Sequence, residues 1–139
     1  MSVPDKDLLR KVAEWISYAD YDIRLAEHTF TMTDDCPYHL VAYHAQQCVE
    51  KYLKAYLVYH SIDFPYTHDI SELLAICAKE TNLTEKFEDV EVLTIYATKI
   101  RYPGMGAKVT EEKAYQTVQI AKNVREMVRT ALIQKGMRI

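Results

Sequence analysis

Six side chains of this sequence have the types and spacing that suit a phosphorylated ligand. They are Gln47, Lys51, Lys54, His68, Arg101 and Tyr102. The lysines and the arginine supply cations for phosphate oxygens, and a histidine just before a helix N-terminus also suits phosphate. A tyrosine ring can stack on a base, and a glutamine amide can read a base or ribose edge. These residues predict a nucleotide-binding site, with ATP as one possible ligand and no other cofactor.

Structural interpretations of the same residues stay open. Lys51 and Lys54 also fit a solvated helix face on which Glu50 pairs with Lys54. Arg101 could instead pair with Glu50 or cap the carbonyls at a helix end. Tyr102, with the proline that follows it, could form a rigid helix stop. The spacing alone does not separate these interpretations from ligand binding.

One glutamine interrupts the otherwise apolar face of the helix that carries both lysines. On a helical wheel with about 100° per residue, Gln46 falls between Leu53 and Leu57 on the arc predicted to be buried. Since a buried amide needs hydrogen-bond partners, we interpret Gln46 as structural. His68 has two open roles, which are ligand contact and holding its loop through backbone hydrogen bonds.

The size and charge of the chain limit the possible classes of protein. Its 139 residues fit a single domain covering 1–139. A net charge of −3 provides no general basic field, so RNA binding is possible but not favoured. Three cysteines without CxxC spacing favour reduced thiols in the cytoplasm. No signal peptide and no apolar stretch of about 20 residues is visible, so no membrane association is expected.

Helical periodicity extends over almost the whole sequence, and no strand pattern is visible. Capping residues and apolar spacing predict four long helices and one short helix. Their predicted limits are Asp5 to Phe30, Asp34 or Asp35 to His60, a short helix from Asp69, a helix from Thr84 to Pro103, and a helix from Thr110 to Gly136. The brief connections predict an all-α fold, an antiparallel up-and-down four-helix bundle with an additional short helix.

Metal and nucleophile chemistry have little support in the sequence. Cys36 with His39, and His44 with Cys48, have helical spacing but offer only two ligands each, whereas a structural zinc ion usually takes about four. No catalytic triad, P-loop or GxGxxG motif is present. We therefore predict no metal site and no catalytic residue.

The last predicted helix carries a local positive stretch despite the acidic total. Its cations are Lys122, Arg125, Arg129, Lys135 and Arg138. We interpret them as a solvated face, since positive charge is favourable near a helix C-terminus. Contact with RNA or with an acidic partner is the alternative, and strong salt dependence of binding would support it.

Four segments with recognisable spacing are distributed over most of the chain. They are Trp15-x3-Ala19-x2-Asp22-Ile23-x2-Ala26, Ala45-Gln46-Gln47-x2-Glu50-Lys51-x2-Lys54-Ala55, Thr67-His68-Asp69 and Arg101-Tyr102-Pro103. In order and spacing they resemble the HEPN domain, a helical nucleotide-binding family of higher eukaryotes and prokaryotes. The resemblance implies a helical bundle, in agreement with the fold predicted from periodicity.

Ribonuclease members of that family would have an arginine and a histidine separated by four to six residues, and this spacing is missing here. Arg24 and His28 have only three residues between them, and residues 106–108, Gly-Ala-Lys, stand where a histidine paired with Arg101 would fall. Metal-independent RNA cleavage needs a general acid and base and a cation for the phosphate. A ribonuclease or RNA-binding toxin is therefore the alternative function.

The resemblance favours the second functional style of the family, a small binding subunit without catalytic residues of its own. Such a subunit acts beside a separate minimal nucleotidyltransferase, as in a toxin-antitoxin pair, and forms a homodimer. This chain would hold the nucleotide or the target while the partner chain performs the transfer. A second alternative is a dimeric scaffold without a ligand, in which apolar helix faces and the 11 tyrosines serve only a two-fold interface.

Overall fold

The computed structural model describes residues 4–80 and 108–139, together with Leu93 and Pro103. Within these residues the chain forms helices and no strand. The helices are α1 (Lys6–Phe30), α2 (Tyr38–Tyr59), α3 (Ile70–Glu80) and α4 (Glu111–Gln134). The prediction of an all-α helical bundle is confirmed.

The central element of the described bundle is α2, which packs against α1, α3 and α4. Its buried residues are Val41, Ala42, Ala45, Gln46, Gln47, Cys48, Val49, Glu50, Tyr52, Leu53, Lys54, Ala55, Tyr56 and Leu57. This set includes apolar and polar side chains from most of the helix circumference. By contrast, α1 and α4 each bury one face and keep charged residues on their flanks.

Ion pairs define the relative direction of α1 and α4. Glu27 of α1 pairs with Lys122 of α4, and Asp20, nearer the start of α1, pairs with Arg129, nearer the end of α4. The two helices are therefore antiparallel. Their direct contact is sparse compared with the contact that each makes with α2, which leaves a groove between them.

Three predicted helix starts are confirmed by their capping hydrogen bonds. Asp5 accepts from the backbone N–H three residues on at 2.7 Å, Thr110 from the N–H three residues on at 3.1 Å, and Asp69 from the N–H two residues on at 2.9 Å. The predicted stop at Gly136 is also confirmed. This glycine follows the C-cap of α4 with a φ of 99°, a left-handed conformation that suits glycine.

The predicted start of α2 is wrong. Neither Asp34 nor Asp35 caps this helix, whose N-cap residue is Pro37 and has no side-chain capping bond. The residue three positions after Asp34 is Pro37 itself, which has no N–H to donate. Asp35 adopts a φ of 49° in the preceding turn, and the N–H of Tyr38, three positions later, is already bonded to the carbonyl of Cys36.

The predicted helix from Thr84 to Pro103 lies outside the described residues, apart from two positions. Leu93 is fully buried and Pro103 is exposed in a turn. Arg101 and Tyr102 of the predicted site also lie outside this part of the structure. Within the described residues, none of the helices has both the length and the apolar character required to cross a membrane.

Candidate functional site

The four predicted site residues that the structure describes belong to two separate polar clusters. Gln47, Lys54 and His68 share one cluster, which we call the glutamate cluster. Its members are Gln46, Gln47, Glu50, Lys54 and His68. Lys51 belongs to a second group, the aspartate cluster, whose members are Asp22, His44 and Lys51.

A buried ion pair lies at the centre of the glutamate cluster. The Nζ atom of Lys54 lies 3.0 Å from Oε2 of Glu50, and the two side chains are only 5% and 3% exposed. The predicted pair therefore forms, but the interpretation of these residues as a solvated face is wrong. Loop 61–69 lies against this side of α2, and Nδ1 of His68 in that loop is 2.9 Å from Oε1 of Glu50.

The two glutamines connect loop 61–69 to α2. The side-chain amide of Gln46 donates to Oε1 of Glu50 and to the backbone carbonyl of His68, both at 3.3 Å. Its own oxygen accepts from the amide of Gln47 at 2.7 Å. The prediction that Gln46 is buried and needs partners is thus confirmed. Gln47 is itself 8% exposed, so its amide is turned to this network and away from water.

Aromatic rings enclose the ammonium group of Lys54. Its Nζ atom lies 5.5 Å from the ring centroid of Trp15, 5.8 Å from that of Phe64 and 5.9 Å from that of Tyr66. Rings at this distance stabilise a cation through their negative faces. The charge of Lys54 is therefore balanced by Glu50 and shielded by rings, which leaves little of it for a ligand.

The aspartate cluster joins α1 to α2. The Oδ1 atom of Asp22 lies 2.9 Å from Nδ1 of His44, and its Oδ2 atom accepts a hydrogen bond from Lys51. His44 and Lys51 are each about a quarter exposed, at 25% and 22%. Lys51 is thus nearer to solvent than Lys54, but its charge is also balanced by a carboxylate.

A more open site lies in the groove between α1 and α4, which has a volume of about 910 Å³. This volume falls within the range of pockets that hold small ligands. The cations that line it are Arg24, Lys122, Arg125 and Arg129. Polar side chains of Gln119 and Asn123 line the same groove.

Asp20 organises one part of the groove. Its Oδ1 atom accepts from Nε of Arg125 at 2.8 Å and from the hydroxyl of the buried Tyr52, and its Oδ2 atom lies 3.7 Å from Nη1 of Arg129. The hydrogen bond to Asp20 raises the pKa of the Arg125 guanidinium. Burial raises the pKa of the Tyr52 phenol, and the bond to Asp20 raises it further. Arg125 and Tyr52 therefore stay protonated at neutral pH.

The interpretation of the α4 cations as a solvated face holds for the exposed Lys122, Lys135 and Arg138 but not for Arg125 and Arg129. Lys122, Arg125 and Arg129 all pair with carboxylates of α1 across the groove. Arg125 and Arg129 are half-buried, because α1 lies alongside them. The sequence contained a usable signal, since Asp20, Arg24 and Glu27 recur at helical spacing on one flank of α1.

The three cysteines form no disulfide, and burial leaves them little nucleophilic character. Burial raises the pKa of Cys77 to about 11, and burial also raises the pKa of Cys48. Neither thiol is therefore ionised at neutral pH. In the part of the chain that the structure describes, no three side chains of histidine, cysteine, aspartate or glutamate are grouped to hold a metal ion.

Comparison with known proteins defines the class of the chain. The family model of the HEPN domain matches residues 12–131, which is most of the sequence. The chain therefore belongs to the HEPN domain family, and this family suggests nucleotide binding or ribonuclease-like activity. No curated protein and no solved structure matches the chain significantly.

Proposed function

We propose that this HEPN chain binds a nucleotide in the groove between α1 and α4, as a subunit without catalytic residues of its own. The observation that carries the proposal is the row of four cations along a groove of about 910 Å³. Guanidinium groups bind phosphate oxygens through paired hydrogen bonds, and three of these cations are arginines. Their partial exposure leaves donors available to a ligand.

The α1 wall of the groove suits a base. Tyr21 is 57% exposed, and the guanidinium of Arg24 lies 5.9 Å from the centroid of its ring. Both groups offer flat surfaces on which a base can stack. Gln119 and Asn123 on α4 carry amides that can donate to and accept from base edges. The phosphates would then lie toward Arg125 and Arg129.

The residues predicted from the sequence form a second possible position for the ligand. They are Gln47, Lys51, Lys54, His68, Arg101 and Tyr102. A phosphate at Lys51 or Lys54 would have to compete with Asp22 or Glu50, and Glu50 is almost completely buried. Separating a buried charge from its counter-charge costs free energy. We therefore place the ligand in the groove. A variant of Lys51 on α2 serves as the comparison in the calorimetric titration below.

A separate nucleotidyltransferase chain is the proposed partner, in a pair of the toxin-antitoxin kind. The sequence has no glycine-serine loop followed by the paired aspartates of a transferase, so transfer chemistry would belong to another chain. We further propose that the chain acts as a cytoplasmic homodimer. A gene for a small nucleotidyltransferase beside this one, together with co-elution of the two proteins, would support the pairing.

Calorimetric titration of ATP and GTP tests the proposed site. We expect Arg24→Gln and Arg129→Gln to weaken nucleotide binding by about tenfold or more, because each removes a charged donor. Arg10→Gln is the matched control, since Arg10 is an exposed arginine of α1 outside the groove lining, and we expect unchanged affinity.

Other results would contradict the proposal in distinct ways. Loss of binding in Lys51→Gln, with normal binding in the groove variants, would place the ligand at α2. Cleavage of a short RNA by the chain alone would favour the ribonuclease alternative. A chain that binds no nucleotide and cleaves no RNA would favour the dimeric scaffold.

A further inference from the structure

We infer that Tyr52 is a positioning residue of the groove, although it belongs to the core. Its hydroxyl holds Asp20 short of full pairing with Arg125 and Arg129, so these arginines keep positive charge for an anionic ligand. This inference rests on the proposed function, because it concerns how the same groove is kept ready for its ligand.

Tyr52 reaches the wall of the groove from inside the bundle. It is a fully buried residue of α2, and the described residues that line the groove do not include it. Its hydroxyl nevertheless donates to Oδ1 of Asp20, which lines the groove with 25% of its side chain exposed. Tyr52 can therefore act on a ligand only through groups that the ligand contacts.

The Asp20 carboxylate is shared unevenly among three neighbours. Its Oδ1 atom accepts from the Tyr52 hydroxyl and, at 2.8 Å, from Nε of Arg125. Its Oδ2 atom lies 3.7 Å from Nη1 of Arg129, which is too far for a hydrogen bond. Burial raises the pKa of the Tyr52 phenol, as does Asp20, while Arg129 and Arg125 lower it because their positive charges lie near the hydroxyl. The neutral hydroxyl thus occupies part of the carboxylate that the arginines could otherwise use.

Loss of the hydroxyl would redistribute these contacts in one direction. A half-buried carboxylate that loses a neutral donor needs a replacement, and Nη1 of Arg129 already lies beside it. Closing that separation to a normal charged hydrogen bond of about 2.8 Å would pair Asp20 directly with both arginines. An anionic ligand would then have to displace a stronger ion pair, and its affinity would fall.

Calorimetric titration of ATP into Tyr52→Phe tests the inference. The variant removes only the hydroxyl, and we expect ATP to bind about fivefold more weakly than to the unmodified protein. Tyr56→Phe is the matched control, since Tyr56 is another buried tyrosine of α2, outside the groove lining, and its ring packs on His60. We expect this control to bind ATP with unchanged affinity.

A double-mutant cycle shows whether Tyr52 acts through Asp20. Asp20→Asn removes the charge that competes with the ligand, and we expect this variant to bind ATP more tightly than the unmodified protein. In the Asp20→Asn background, Tyr52→Phe should change the affinity by less than about twofold, because an amide does not neutralise the arginines. A tyrosine that only supports the fold would weaken binding equally in both backgrounds. Circular dichroism and the melting temperature verify that each variant is folded.

A folded Tyr52→Phe variant that binds ATP as tightly as the unmodified protein would overturn the inference, and so would an equal loss in the two backgrounds. If Tyr52→Phe does not fold, weaker or equal ATP binding by folded Asp20→Asn would overturn it, because Asp20 would then not compete with the ligand. In each case loss of ATP binding in Arg24→Gln would show that the groove is still the nucleotide site. Absence of ATP and GTP binding by the unmodified protein would overturn the proposed function together with the inference.

Discussion

At the scale of single residues, the ion pair of Glu50 and Lys54 shows why charged side chains on a helix are not always available to a ligand. The two side chains are almost completely removed from water, and Glu50 also contacts Gln46 and His68. Their desolvation is compensated by each other, by these hydrogen bonds and by the aromatic rings around Lys54. The pair therefore connects loop 61–69 to α2.

Removing the negative charge of this pair should destabilise the fold strongly. We expect Glu50→Gln to lower the free energy of unfolding by about 3 to 5 kcal/mol, since the ammonium of Lys54 then stays buried without a counter-charge. Urea denaturation followed by circular dichroism measures this loss.

The control for this prediction is an exposed pair. Glu14→Gln removes one of the two carboxylate partners of Arg10 on the solvated side of α1, where we expect a much smaller loss. Adding Lys54→Met to Glu50→Gln should recover part of the stability, because no unpaired charge is left. A Glu50→Gln variant as stable as Glu14→Gln would contradict a structural role for the buried pair.

At the scale of the helices, α2 and α4 end in the same way but with different residues. After α2, the N–H of Ser61 bonds to the carbonyl of Val58 at 3.0 Å, and Ser61 has a φ of 56°. After α4, Gly136 occupies the equivalent position with a φ of 99°. A residue with a side chain is strained in this left-handed conformation, whereas glycine is not.

Replacing the strained serine should stabilise the protein. We expect Ser61→Gly to raise the free energy of unfolding by about 0.5 to 1 kcal/mol, the gain being reduced by the greater freedom of glycine in the unfolded chain. Gly136→Ala is the reverse substitution at the equivalent position and should lower the free energy of unfolding by about 1 kcal/mol. A Cβ atom at Gly136 would meet no atom within 4 Å, so only the left-handed backbone conformation opposes the alanine. Thermal denaturation measures both, and a less stable Ser61→Gly variant would contradict this account.

Helix limits could be predicted where local chemistry decides them. Asp5 and Thr110 are N-cap residues, and their capping bonds involve residues three positions away. The start of α2 was predicted wrongly because Pro37 removes the N–H that a preceding aspartate would have bonded. A solvated face for Glu50 and Lys54 is one of the interpretations that the sequence leaves open, since helical periodicity does not show that α2 is enclosed by other elements.

At the scale of the whole molecule, the groove could not be predicted from spacing. Its defining contact joins Asp20 to Arg125 across 105 residues of sequence, and no local pattern reports that α1 and α4 are neighbours. The charges on each helix were visible separately. Only the antiparallel packing of the two helices brings them to one site.

Stability of the whole fold should depend on pH through His60. Burial lowers the pKa of His60 below its usual value of 6.5, with a smaller contribution from the charge of Lys135, and its Nε2 atom has no hydrogen-bond partner among the described residues. The unfolded chain therefore binds a proton more readily than the folded one, and stability is lost as the pH falls through and below 6.5. His60→Phe should reduce this loss, whereas His28→Gln at an exposed position should not. The effect is measured by melting temperatures between about pH 8 and pH 5, a range that spans the titration of histidine. Identical pH profiles of His60→Phe and the unmodified protein would contradict the role of His60.

The most direct test of the central claim is an NMR titration with ATP that follows the side-chain Nε–H signals of the arginines. The claim predicts that the signals of Arg24, Arg125 and Arg129 shift with one common dissociation constant, while the signal of Arg10 stays in place. Saturating ATP that leaves the three groove signals unchanged would contradict nucleotide binding between α1 and α4.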